Sequence, residues 1–276
     1  MRVRLAIVAV LALLLVACSG GGSGSTAPST APSDAPSAAA ADLTIFGAAS
    51  LAKVLQEVKT AYEAAVPDAT LTISTDSSAA LATQITEGAP ADVFLSADTT
   101  NPQQLVDAGL ATGDPTVFAG NELIVITPTD NPGGLTGPLD LAKAGVRVIA
   151  AGDEVPIAKY ATQLVENLAA QPGAPADFAA AYAANVLSRE DNVAAVRTKI
   201  ELGEGDAAIV YVTDAAASDK VAALDVPDDA SVPASYAGVV VKASEHAEAA
   251  QAFLDWVAGP EGQAILVSFG FLPPSS

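Results

Sequence analysis

Short apolar runs rich in β-branched residues alternate along this chain with longer, Ala-rich stretches whose apolar positions recur at helical spacing. Leu43-Thr44-Ile45-Phe46 predicts a strand, and Leu51 to Ala65 a helix with Leu51, Val54, Leu55 and Val58 on one face. Leu71 to Ser74 predicts a second strand, followed by a helix through Leu81 and Ile85, and Asp92 to Ser96 a third strand. Further strands are expected at Glu122 to Ile126, Val146 to Ala150, Ala207 to Val212 and Ala237 to Val241. Helices are expected over Ala158 to Ala170, around Ala176 to Ala184 and over Val193 to Leu202, with a Pro/Gly break at Gln171 to Pro175. A last helix, Ala247 to Val257, stops before Gly259-Pro260. Buried strands separated by helices are the mark of parallel sheet built from βα units, so the class is α/β.

The first 41 residues follow a different pattern. Arg2 and Arg4 precede an apolar run from Leu5 to Ala17, too short to span a bilayer comfortably and flanked like a secretory signal, which sets residues 1–17 apart as a signal peptide. Leu15-Val16-Ala17-Cys18 resembles the lipobox of bacterial lipoproteins, which implies that Cys18 is acylated and anchors an exported protein at the cell membrane, facing the extracytoplasmic side. Residues 18–41, almost all Ser, Gly, Ala, Pro and Thr, cannot bury enough apolar surface to fold and read as a tether. Cys18 is the single cysteine, so the exported part is expected to hold no disulfide and no thiolate metal site.

Charge narrows the partners. A formal net charge of −20 repels nucleic acid and anionic headgroups, and it also opposes long-range attraction of an anionic ligand. An anion site in this chain must therefore work through local dipoles and hydrogen-bond donors. Two places offer them. Phe46-Gly47-Ala48-Ala49-Ser50-Leu51 runs from a strand into a helix, with Ser50 expected as the N-cap, and Ser74 to Leu81 does the same with Ser77 and Ser78 at the turn. In open α/β sheets ligands bind beyond the carboxyl ends of the strands, so Ser50 and Ser78 can face one crevice.

These segments resemble the periplasmic molybdate-binding proteins of bacterial ABC transporters. Phe46 to Leu51 is similar to that family's opening motif, and Ser77-Ser78 with Leu81 to Asp98 resembles its longest block. Gly152-Asp153-Glu154-Val155-Pro156 with Tyr160-Ala161, Glu190 to Val193, and Ile209 to Ala215 resemble the remaining motifs, so the likeness covers essentially residues 42–274. It implies a two-domain, class II periplasmic-binding-protein-like fold with a ligand cleft between domains joined by two crossing strands. One domain is expected from residues 42–124 plus 228–276 and the other from 125–227. It implies an oxyanion, molybdate or tungstate, held by the hydroxyl and backbone N–H of Ser50 and Ser78, the backbone N–H of Ile157 and Val193, and the hydroxyl of Tyr211. It further implies a permease partner, a monomer, no cofactor and no protein ligand to a metal cation. Ile157-Ala158 stand where the family usually has alanine and glycine, and a one-residue slip in the fourth motif would pass the role of Val193 to Asn192.

Competing readings rest on less. Another oxyanion, such as sulfate, fits the same fold. Ser50-Leu51-Ala52-Lys53 matches the S-x-x-K pattern of a serine hydrolase, but neither K-T-G nor S-D-N accompanies it, so no enzyme is expected. Tyr160, Tyr182, Tyr211 and Tyr236 could be proposed as an iron site, yet tyrosines of this kind more often pack at the core edge. His246, the only histidine, reads as the start of an exposed helix.

Overall fold

The computed structural model describes residues 41–274, which fall within one compact unit; the expected signal peptide, Cys18 and nearly all of the expected tether lie outside the described residues. The chain opens with β1 (Asp42–Ala48), a 3-10 turn (Ala49–Leu51) and α1 (Ala52–Ala65), then β2 (Thr70–Asp76), α2 (Ser78–Thr86), β3 (Val93–Ser96), α3 (Thr100–Asp107) and β4 (Ala111–Asn121). It continues through β5 (Leu123–Pro128), β6 (Val148–Ala151), α4 (Pro156–Ala169), α5 (Phe178–Asn185), β7 (Val186–Glu190), α6 (Val193–Glu201), β8 (Ala207–Tyr211), α7 (Val212–Ala216) and β9 (Val221–Leu224). It closes with β10 (Ala234–Val241), α8 (Ala247–Ala258) and α9 (Pro260–Ser268).

Two five-stranded sheets result, ordered β2-β1-β3-β10-β4 and β7-β6-β8-β5-β9. The parallel βα units expected from the sequence form the body of each sheet, and antiparallel strands complete it. β1, β2 and β3 run parallel, as do β6, β7 and β8, but β10 lies antiparallel to β3 and β4, and β5 antiparallel to β8 and β9. The antiparallel strands are the ones that carry the chain between sheets. It leaves the first sheet at Asn121 and enters the second at Leu123, with Glu122 alone between them, and it returns between Leu224 and Ala234. Each sheet and its helices form a lobe, and these two crossings join the lobes.

Period-2 alternation sorts the first sheet's side chains onto two buried faces. Leu43 and Ile45 of β1 and Val93 and Leu95 of β3 join Val54, Leu55 and Val58 of α1 and Phe253 and Leu254 of α8. Phe46 and Phe94 point the other way, onto Leu81 and Ile85 of α2 and Leu105 of α3. Gly47 permits the first packing: a Cβ there would collide with Leu55 Cδ1. In the second lobe α4 and α6 cover β6 and β8, and the apolar core runs without interruption from one lobe into the other.

Candidate functional site

All six parallel strands end at the same place. The carboxyl ends of β1, β2 and β3 and those of β6, β7 and β8 turn toward a cleft between the lobes, where the chain enters helices. A small cavity lies there, and its walls include Ser50, Ser78, Ile157, Val193 and Tyr211 together with Ser77. No lysine, arginine or histidine lines it.

Each donor is set by a different device. Ser50 does not cap a helix as its sequence position suggested. The chain leaving β1 makes a 3-10 turn first, with Ala48 at its N-cap in extended backbone, and Ser50 falls inside that turn. Its Oγ lies 2.9 Å from the Tyr236 hydroxyl, which accepts from Asn121 Nδ2 at 3.3 Å. With Asn121 donating to it, Tyr236 is free to donate to Ser50 Oγ, which leaves the serine proton for a ligand. Burial pushes the Tyr236 phenol well above its ordinary pKa, so that proton is retained.

Ser78 is the first residue of α2 and almost completely buried. Its Oγ accepts from the N–H of Ala97 at 3.0 Å, so its own proton is also available. The Ala97 turn is braced by Asp98, whose carboxylate accepts from Ser96 Oγ (2.8 Å), Asn101 N (3.0 Å) and Asn101 Nδ2 (2.9 Å). Ser77, at the N-cap of the same helix, makes no capping bond, and its buried Oγ has no partner.

From the second lobe come main-chain groups. Ile157 follows Pro156 in the first turn of α4, and Val193 opens α6; N–H groups in a first turn have no partner within their helix. Neither α2, α4 nor the 3-10 turn is capped by a side chain, so three helix starts direct unpaired N–H groups and partial positive charge toward the cavity. α6 is the exception, with Asn192 Oδ1 accepting from Ala195 N at 2.9 Å. Asn192 thus uses its side-chain oxygen for the cap while Val193 lines the cavity.

Tyr211 completes the set. Its ring packs edge-on against Tyr160 and Tyr236, with centroids 6.3 and 5.6 Å apart, and its hydroxyl is buried without a partner. Burial, reinforced by the neighbouring phenols and Asp214, raises its pKa well above the ordinary value, so it stays a neutral donor. Asp214 lies behind it, fully buried, with one carboxylate oxygen unpartnered. Its pKa is raised to about 7 by burial, against the opposing pull of Arg197 and the N–H of Tyr211.

Two buried hydroxyls without partners in one cavity form a strong chemical signal, because an unmet buried donor is costly unless something fills it. Ser77 is the residue that sequence reasoning passed over as a donor. The Ser-Ser doublet was the available sign, but only burial tells which serine is spent on the fold. The hydrolase pairing has no counterpart: Ser50 bonds Tyr236, while Lys53 is exposed on the helix surface. Tyr182 stands apart from the other three tyrosines, beside Arg189 in another pocket, and no cluster of His, Cys, Asp or Glu suited to a metal occurs among the described residues.

Comparison with known proteins places this geometry in context. Residues 43–272 match the family of bacterial extracellular solute-binding proteins. The molybdate-binding protein ModA of Mycobacterium tuberculosis is 33% identical over 96% of this chain and 95% of its own length. Among solved structures, the periplasmic molybdate-binding protein of Azotobacter vinelandii superposes with a TM-score of 0.71 at 24% identity, over 84% of this chain and 100% of that one. The sulfate-binding protein SubI of Mycobacterium tuberculosis gives 0.75 at 22%, over 84% and 86%. At such identities the two structures establish the shared two-lobed fold.

Proposed function

The chain belongs to the bacterial extracellular solute-binding proteins, and on that premise we propose that it captures molybdate, or its near-isostere tungstate, and delivers it to an ABC importer. The observation that carries this reading is the pair of buried, unpartnered hydroxyls of Ser77 and Tyr211, facing uncapped helix starts in a cavity free of cations. Ser50, Ser78, Ile157, Val193 and Tyr211 are its ligand donors, and Ser77 a sixth. A dianion entering such a site exchanges its hydration shell for fixed N–H and O–H dipoles. Neutral donors bind it without the strong charge pairing that would hinder its release to a permease.

Selectivity in this reading is a matter of size. Donors anchored to helix starts and buried rings cannot contract around a smaller ion, so sulfate, with shorter bonds from its central atom, makes longer and weaker hydrogen bonds. Because each lobe holds only part of the donor set, binding favours closure, and the closed form is what the permease reads. Cys18 carries the lipid anchor, and the protein acts as a monomer with no catalytic step at the site.

Calorimetric titration of the full-length protein with molybdate, tungstate, sulfate and phosphate tests the proposal. Binding of molybdate and tungstate with far weaker heat from sulfate and phosphate is expected. Heat from sulfate alone would overturn it. Replacing Cys18 by Ser is expected to release the protein from the membrane fraction; retention there would remove the anchor.

A further inference from the structure

One polar contact spans the cleft at a place that neither lobe's own packing requires. Asp76 is the last residue of β2, and β2 is the outer edge of the first sheet. Asn192 follows β7, the outer edge of the second sheet. Asn192 Nδ2 donates to Asp76 Oδ1 at 3.1 Å, across a sequence separation of 116 residues. The crossings between lobes run from β4 to β5 and from β9 to β10, on the far side of both sheets.

Both side chains are held in place before they meet. Asp76 Oδ1 accepts the N–H of Ser77 at 2.7 Å, and Asn192 Oδ1 accepts the N–H of Ala195 at 2.9 Å. Each is therefore pinned to its own lobe, and little rotamer freedom is lost when they join. Their chain neighbours Ser77, Ser78 and Val193 line the cavity. A ligand that draws the Ser78 and Val193 turns together also brings Asp76 to Asn192. Placed at the edges farthest from the crossings, this bond is stretched most by any opening rotation.

We propose that Asp76 and Asn192 form a clasp at the free edge of the cleft, a pair of positioning residues that holds the lobes closed and sets how slowly the ligand leaves. The inference rests on the oxyanion reading of the cavity for its ligand, but the clasp itself is a property of the protein. It assigns Asp76 a role distinct from the donors: its carboxylate occupies the Ser77 N–H and reaches for the other lobe.

The test exchanges the partners. Asn192→Asp keeps the helix cap but sets a carboxylate against Asp76, whereas the double variant Asp76→Asn with Asn192→Asp rebuilds the bond with donor and acceptor reversed. Molybdate release from the full-length protein into a colorimetric chelator, followed by stopped flow, is expected to quicken about tenfold in the single variant, the effect of one charge-assisted bond. The double variant is expected to return to near the starting rate. Equal release from all three proteins, or a double variant as fast as the single, overturns the clasp. If the unaltered protein binds no molybdate, the oxyanion reading fails separately, and X-ray scattering of the ligand-free proteins decides the clasp. A larger radius of gyration in the single variant, reversed in the double, supports it, and identical radii refute it.

Discussion

The two lobes approach the same cavity with different chemistry. The first supplies hydroxyls, from Ser50, Ser77 and Ser78, each set in a turn after a parallel strand. The second supplies main-chain N–H groups at the starts of α4 and α6 and a single phenol. They also treat buried charge differently. Asp98 in the first lobe is ringed by donors, while Asp214 in the second keeps an unpartnered oxygen. A donor carried by a side chain is open to substitution and so specifies the site residue by residue. One carried by the backbone depends only on where the helix begins, which is why Ile157 can stand where the resemblance led one to expect alanine.

Substitutions can break this contrast or sharpen it, and the largest effect on binding is expected from Ser78→Ala. That change removes a proposed ligand donor and leaves the Ala97 N–H without its acceptor, so molybdate affinity should fall by about 3 kcal/mol and the melting temperature should drop as well. Unchanged affinity would take Ser78 out of the site. Val193→Pro comes next. Proline is welcome at the first position of a helix, and Asn192 already has the extended backbone (ψ 165°) that a residue before proline needs. Only the N–H is lost, with an expected cost of about 2 kcal/mol in affinity, whereas Val193→Ala should change it little. Should both variants bind alike, the second lobe does not act through its backbone at this point.

Tyr211→Phe is expected to act in two directions. Affinity should weaken by roughly 1.5 kcal/mol as a donor is lost, yet the ligand-free protein should melt no lower and even somewhat higher, because a buried orphan hydroxyl has gone. A drop in ligand-free stability would show that this hydroxyl has a protein partner. Asp214→Asn should leave affinity least affected and change the response to pH. In the folded protein Asp214 titrates near 7 instead of its ordinary 3.8, so between those values the folded state holds a proton that the unfolded chain has released. Stability must therefore fall as pH rises through that window and level off above it. Melting curves from about pH 5 to about pH 8 should show this fall in the unaltered protein and a weaker one in the variant; parallel curves would mean that Asp214 is not the group responsible.

The contrast between lobes also explains what the sequence made legible. Strands β1, β3, β8 and β10 are buried on both faces and read as apolar runs. The edge strands β4, β7 and β9 mix exposed and half-buried positions and give no such run. Pro115 inside β4 looks like a breaker, but an edge strand has one side on which no N–H is required. Gly259-Pro260 predicts the end of a helix, and Pro260 also begins α9, where its missing N–H costs nothing. The antiparallel placement of β10 could not be read locally, since it depends on a chain returning from the other lobe. Within the site, Ser50, Ser78 and Tyr211 are legible in the sequence as side chains. The availability of their protons is not, because it depends on Ala97, Tyr236 and Asn121, which come from distant parts of the chain.

The insertion of β10 between β3 and β4 has a consequence for how the protein is made. Ala237 pairs with Ser96 and Ala234 with Asn121, so the centre of the first sheet waits for residues that follow the whole of the second lobe. A chain delivered from its N-terminus can finish the second lobe while β3 and β4 still expose unpaired edges, and such long-range pairing is slow. The lobe written first is thus the one completed last. During that interval the half-built sheet is the part of the molecule most exposed to mispairing with its neighbours.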